Sequence, residues 1–93
     1  MNIVIAQDII HEDMGDVFDS HDFIVALISR DKDSYDEIMR RCPSTGSAHG
    51  IISIYLGSHT NDLGIEKIEE NVTHKSENIN GNVNQCAQWR KVQ

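Results

Sequence analysis

The segment spanning residues 34–65 constrains the fold most strongly, because it predicts two helices joined by a short turn. Ser34 and Glu37 have the spacing of a capping box, in which a hydroxyl and a carboxylate satisfy the free amides at a helix start. Pro43 ends this helix, because the residue before a proline avoids the α region. The sequence therefore predicts a helix over residues 34–42.

A second helix is predicted over residues 47–59, with Ser44 or Ser47 as its N-cap. Its apolar side chains form a wide stripe, which is typical of a buried helix: Ile51, Ile52, Ile54, Tyr55 and Leu56. Gly50 costs this helix roughly 1 kcal/mol relative to alanine. A glycine at such a position often marks the close approach of another backbone.

Two further helices are expected on either side of this pair. Residues 20–30 follow a capping signal at Asp19 or Ser20 and are apolar nearly all round, so this helix is buried on more than one side or carries an interface. Residues 83–92 follow a second capping-box pattern and place Trp89 at a helical step.

The fold class predicted from these elements is mainly α. We expect a small single-domain helical bundle with one extended or weakly β segment over about residues 66–76. Residues 1–18 have an ambiguous pattern and an internal Met14, and we interpret them as a peripheral N-terminal extension. The helical domain would then span residues 19–93, and a chain beginning at Met14 would fold.

Charge is uneven along the 93 residues, whose net charge is −7. Residues 1–37 carry ten acids against two basic residues, whereas residues 38–93 carry five acids against six. Residues 1–37, which we call the acidic front, are expected to repel nucleic acid and to favour a basic protein partner. No window approaches the roughly 18 apolar residues of a membrane span, and the start lacks the pattern of a signal peptide. A cytoplasmic protein without a membrane partner is expected.

The residues that carry chemistry form no recognisable motif. None of the five histidines has metal-ligand spacing to another histidine or a cysteine, and a helix would hold His49 and His59 roughly 15 Å apart. Cys42 and Cys86 lie 44 positions apart and form no CxxC motif. Cys42 falls on the apolar side of its predicted helix, which favours a buried free thiol, and a disulfide between the two cysteines is left open. Because no phosphate loop or catalytic motif occurs, we predict no metal, no cofactor and no enzymatic activity.

A non-enzymatic interaction or regulatory module is the function that these features favour. It would bind a protein partner or a second copy of itself. The contact would be formed by the acidic front and an apolar face, with Phe23, Leu27 and Trp89 as the partner-binding residues.

The alternative is a winged helix-turn-helix-like DNA-binding domain, because two helices across a short turn are followed by an extended segment and a glycine-tipped turn. The helix over residues 47–59 would enter the major groove. Its DNA-contacting residues, with two phosphate-contacting lysines, would be Ser47, His49, Ser53, His59, Lys67 and Lys75. That helix contains no lysine or arginine, which argues against the alternative because phosphate contacts dominate affinity.

Overall fold

The structure, a computed structural model, describes residues 1–69 and 73–92. Its helices are α1 (Ile3–Asp13), α2 (Ser20–Arg30), α3 (Lys32–Arg41), α4 (Thr45–Ser58) and α5 (Thr60–Leu63). Its strands are β1 (Val17–Asp19), β2 (Ile65–Lys67), β3 (Lys75–Glu77), β4 (Val83–Gln85) and β5 (Gln88–Lys91). None of the described helices is long and apolar enough to cross a membrane. The mainly α class is confirmed, but β structure makes the fold more than a helical bundle.

The strands form two separate antiparallel sheets. The first has the order β1-β5-β2, with Trp89 opposite both Phe18 and Lys67. The second is the β3–β4 hairpin, in which Ser76 faces Asn84. The last strand in the chain is therefore the centre of the first sheet, and it closes the fold by pairing with β1.

The predicted helical hairpin is present as α3 and α4, but the cap of α3 differs. Asp31 is the N-cap, and its side chain accepts from the Ser34 N–H at 3.3 Å. The predicted capping box of Ser34 and Glu37 is wrong because the helix begins two residues earlier, at Lys32. The N-cap of α4 is Ser44, which accepts from the Ser47 N–H at 3.1 Å, as expected.

The helix predicted over residues 20–30 is confirmed as α2, including its cap. Asp19 accepts from the Asp22 N–H at 2.8 Å, and the Asp22 carboxylate accepts from the Asp19 N–H at 3.0 Å. Each carboxylate satisfies an amide that the helix itself leaves free. Asp19 is thus both the last residue of β1 and the start of α2.

The helix predicted over residues 83–92 is wrong, because these residues form β4 and β5. The apolar steps that fit a helix also fit two short strands, and β5 is stabilised by backbone pairing on both edges. The extended segment predicted over residues 66–76 contributes β2 and β3 at its two ends. Its residues 70–72 lie outside the described part of the chain.

Residues 1–18 are not peripheral to the packing, which corrects the predicted extension. They form α1 and most of β1, and α1 contributes the buried side chains Ala6, Ile9 and Ile10 to the core shared with α2, α4 and the first sheet. The pattern at the start of the chain is amphipathic, and the burial of its apolar side requires the rest of the protein.

The packing of α1 predicts that a chain beginning at Met14 does not fold. A milder test is Ile9→Ala, because Ile9 is fully buried and its truncation leaves a cavity. We expect this change to lower the free energy of unfolding by about 2–5 kcal/mol. The control is Val4→Ala in the same helix, since Val4 is 55% exposed and its loss is expected to cost less than about 0.5 kcal/mol. Equal stabilities in chemical denaturation would show that α1 is dispensable.

Candidate functional site

A group of polar side chains lies where the β3–β4 hairpin meets the start of α2. We call it the junction cluster, and its members are Asp19, His21, His74, Ser76 and Cys86. His74 Nε2 donates to Asp19 Oδ2 at 2.9 Å. Ser76 Oγ lies 2.6 Å from His21 Nδ1 and 3.6 Å from Cys86 Sγ. These contacts join three parts of the chain that are distant in sequence.

The local backbone fixes the position of each member. Asp19 is held by the cap of α2, and Asp19 and His21 are both buried. On the hairpin side, the Cys86 N–H donates to the His74 carbonyl at 3.0 Å, which extends the pairing beyond β3 and β4. His74 and Cys86 therefore emerge side by side at the open end of the hairpin.

The surroundings shift the pKa values of two members of the junction cluster. Burial raises the pKa of Asp19, but hydrogen bonds from His74 and Ser76 outweigh this effect, so the pKa lies below its usual value. Burial raises the pKa of the Cys86 thiol, and the hydrogen bond to Ser76 offsets this only in part. At neutral pH the junction cluster holds a carboxylate next to a neutral thiol.

Three members of the junction cluster are potential metal ligands. One ligand atom each from Asp19, His74 and Cys86 lie within 4.8 Å of one another. No other group of three such residues occurs within residues 1–69 and 73–92. Sequence reasoning missed these residues, because they come from three separate segments and have no motif spacing.

A cleft of about 410 Å³ opens beside the junction cluster, between α4 and the β3–β4 hairpin. Its lining combines imidazole, hydroxyl, amide and thiol groups with two glycines of α4, and includes His21, His49, Gly50, Asn84 and Cys86. Burial lowers the pKa of His49, which favours the neutral ring. The cleft is therefore polar and carries little charge of its own.

The outer face of α4 is the second distinctive surface. Residues 42–61 contain no aspartate, glutamate, lysine or arginine. Ile51 and Ile54 are 49% and 69% exposed on this face. Gly50 lies between them and the helix start, and a Cβ built there would meet nothing within 4 Å. Among residues 1–69 and 73–92, no other backbone approaches Gly50 closely, in contrast to the expectation.

The three residues predicted to bind a partner lie in the core instead. Phe23 and Leu27 are fully buried in α2, and Trp89 is 2% exposed in β5. Their interpretation as surface anchors is corrected, because α2 is covered by α1, α3 and α4 as well as the sheet. The large hydrophobic side chain that α2 exposes is that of Val25.

Two of the four predicted DNA-contacting residues in the second helix of the hairpin make contacts within the protein. His49 Nε2 lies 2.8 Å from the Tyr35 hydroxyl, and Ser53 Oγ lies 2.9 Å from Ser20 Oγ. Of the predicted DNA-contacting residues within α4, only Ser47 is exposed. The major-groove face predicted for this helix is thus partly turned into the protein.

The remaining residues of the DNA-binding prediction are scattered over other elements. His59 follows α4, where its Nδ1 donates to the Tyr55 carbonyl at 2.8 Å and its ring stacks on that of Tyr55. Lys67 lies in β2 and Lys75 in β3, which belong to different sheets. DNA binding stays an untested prediction with no observation that favours it.

Both cysteines are free thiols, and each is half-buried. The disulfide that the sequence left open is therefore not formed. Cys42 lies at the C-cap of α3, and Cys86 lies in the junction cluster. Their different surroundings make Cys42 a natural control for any experiment on Cys86.

Comparisons of this chain with protein-family models, with curated proteins and with solved structures find no match. Inferences about function therefore start from the geometry of its own side chains.

The lowered pKa of Asp19 predicts how stability depends on pH. A carboxyl whose pKa is lower in the folded state contributes stability above its unfolded pKa of about 3.9, and this contribution is lost as the pH falls through the folded value. Asp19→Asn keeps a capping oxygen but removes the charge that pairs with His74. We expect it to lower the free energy of unfolding by about 1 kcal/mol at pH 7.

The difference between Asp19→Asn and the unmodified protein is expected to shrink towards pH 3. Asp8→Asn, on the exposed side of α1, is the matched control and should change stability by less than about 0.5 kcal/mol at either pH. Denaturant titrations at several pH values test this. A difference that is independent of pH would mean that the charge of Asp19 does not contribute.

Proposed function

We propose that this protein is a small, non-enzymatic interaction module that pairs with a second copy of itself through the outer face of α4. The observation that carries the proposal is the exposure of Ile51 and Ile54 on a helix without charged side chains. An isoleucine in that position gains stability only when another surface covers it.

The spacing on α4 is what a helix needs in order to pack against its own copy. Ser47, Ile51, Ile54 and Ser58 follow one another at steps of four, three and four residues, so they lie in one row along the helix. The row reads the same in both directions. A two-fold axis between Ile51 and Ile54 would place each isoleucine against the other isoleucine of the second copy, as a two-fold symmetric interface requires.

Two features beside this row support close packing. Gly50 is exposed and adds no side chain to the surface, and a Cβ built there would meet nothing within 4 Å, so a neighbouring helix can approach the backbone. A mostly apolar groove of about 220 Å³ lies beside Ile51, with Met1, Ile38 and Tyr55 among its lining residues and Arg41 as the charged one. The groove offers space for a side chain of the second copy.

Charge favours this face over the others as the place of contact. Two copies with a net charge of −7 each repel one another wherever their acidic surfaces meet. The outer face of α4 is free of formal charge, so two copies can meet there without bringing acids together. The absence of formal charge on this face therefore favours a second copy of the chain as the partner that covers it.

The proposal predicts that light scattering during size-exclusion chromatography gives a mass that rises towards twice the 10.5 kDa of one chain as concentration increases. Ile54→Lys should abolish the rise, because each lysine would then be buried against Ile51 of the second copy without an opposite charge to pair with. The folded monomer should keep its stability, since the Ile54 side chain is mostly exposed.

The matched control is Val25→Lys, which introduces the same charge at a 57% exposed position on α2 and should leave association unchanged. A mass of one chain at every concentration up to millimolar would contradict the proposal. Association that Val25→Lys weakens as much as Ile54→Lys would contradict the assignment to α4.

A further inference from the structure

We propose that Asp19, His74 and Cys86 bind a divalent transition-metal ion of the zinc type. The proposal is independent of self-association, because its ligands lie in the junction cluster and not in the row of α4.

The geometry is close to what a tetrahedral ion requires. Zinc bonds of about 2.0 Å to nitrogen or oxygen and 2.3 Å to sulfur hold the ligand atoms about 3.3–3.5 Å apart. The ligand atoms of the three residues already lie within 4.8 Å of one another, and His74 Nε2 is 2.9 Å from Asp19 Oδ2. Shifts of about 1 Å or less therefore complete the ligand set.

The chemistry of the three ligands fits the charge of the ion. An imidazole nitrogen, a carboxylate oxygen and a thiolate sulfur are ligands that zinc accepts together. The carboxylate of Asp19 and the thiolate of Cys86 together balance two positive charges. On binding, the Cys86 S–H bond breaks, the sulfur lone pair forms the metal bond, and the proton passes to solvent. His74 Nε2, which donates to Asp19 in the metal-free protein, loses its proton to solvent as Nδ1 takes one up, so that the neutral ring binds the ion through the Nε2 lone pair.

The same carboxylate argues against a thiol nucleophile at this place. A reactive cysteine needs a positive surrounding that stabilises its thiolate. Cys86 is half-buried beside Asp19, and the carboxylate repels a second negative charge unless a cation lies between them. Metal binding removes this conflict, whereas nucleophilic chemistry would require overcoming it.

The fourth position of the ion faces polar groups and the cleft. Ser76 Oγ lies 3.6 Å from Cys86 Sγ, and His21 Nδ1 lies 2.6 Å from that hydroxyl. Three protein ligands leave one position for water or a further side chain. His21 is joined to this part of the junction cluster through the Ser76 hydroxyl and is not one of the three ligands.

Anchoring of the β3–β4 hairpin is the structural consequence. Each of its strands is three residues long, and an isolated two-stranded hairpin is at best marginally stable in water. His74 and Cys86 stand at its open end, while Asp19 belongs to the start of α2. An ion at the junction cluster would tie the hairpin to the helices through bonds stronger than the present hydrogen bonds.

Cobalt(II) is the probe, because it takes the zinc geometry and its thiolate bonds absorb light in the near ultraviolet. Titration of the reduced full-length protein with Co²⁺ should reach one ion per chain with a thiolate-to-cobalt absorption band, and Zn²⁺ should displace it. Cys86→Ser should remove the band. His74→Gln should weaken binding at least roughly tenfold.

The chain offers a control for each substitution. Cys42→Ser keeps Cys86 and should preserve the band, and His11→Gln changes an exposed histidine of α1 and should preserve the affinity. Because a variant can fail to fold, circular dichroism accompanies each titration. A second measurement on the unmodified protein compares the rates at which a thiol reagent modifies the two cysteines, and Zn²⁺ should slow the modification of Cys86 alone.

Two results would overturn the proposal. One is the absence of a thiolate-to-cobalt band in the folded, reduced protein. The other is a band or a zinc-dependent protection that follows Cys42 instead of Cys86. If the protein binds zinc and stays monomeric, the proposal of metal binding stands and only the proposal of self-association is contradicted.

Discussion

The rest of the structure depends on the buried indole of Trp89 and on the hydrogen bond that it makes. It is 2% exposed in the central strand of the first sheet, and its Nε1 donates to Ser20 Oγ at 3.0 Å. Ser20 in turn lies 2.9 Å from Ser53 of α4. A buried indole N–H without a partner would cost about 1–3 kcal/mol, so this chain of hydrogen bonds sets the distance between sheet, α2 and α4.

The position of Trp89 also determines where the junction cluster forms. Because Trp89 is fixed beneath the start of α2, Cys86 three residues earlier is brought to the same end of that helix. The Ser20 N–H donates to the Ala87 carbonyl at 3.0 Å and closes the gap between them. Within the described residues, no buried side-chain nitrogen or oxygen lacks a hydrogen-bond partner. The polar groups at this junction are therefore satisfied by the folded chain itself.

Sequence reasoning predicted the parts of this fold that local chemistry decides. The caps at Asp19 and Ser44 and the stop at Pro43 act within a few residues, and the helices that they bound are present. The segment predicted as extended contains most of β2 and β3, whereas β1, β4 and β5 were missed because each has three or four residues, too few to separate a period of 2 from a helical step. The pairing of Trp89 with Phe18 joins the two ends of the chain, and no local pattern contains it.

The difference between local patterns and contacts between distant segments also explains why one candidate site can be read from the sequence and the other cannot. The row on α4 lies within one helix, so its spacing can be read from the sequence once the exposed side is known. The three residues that we propose as metal ligands come from β1, from the residue before β3 and from the residue after β4, and only the tertiary fold assembles them. The cleft between α4 and the hairpin is bounded by residues of both regions, including Gly50 and Cys86. An ion that fixed the hairpin against α2 would therefore also fix one wall of that cleft, whose other wall is the helix that we propose for self-association.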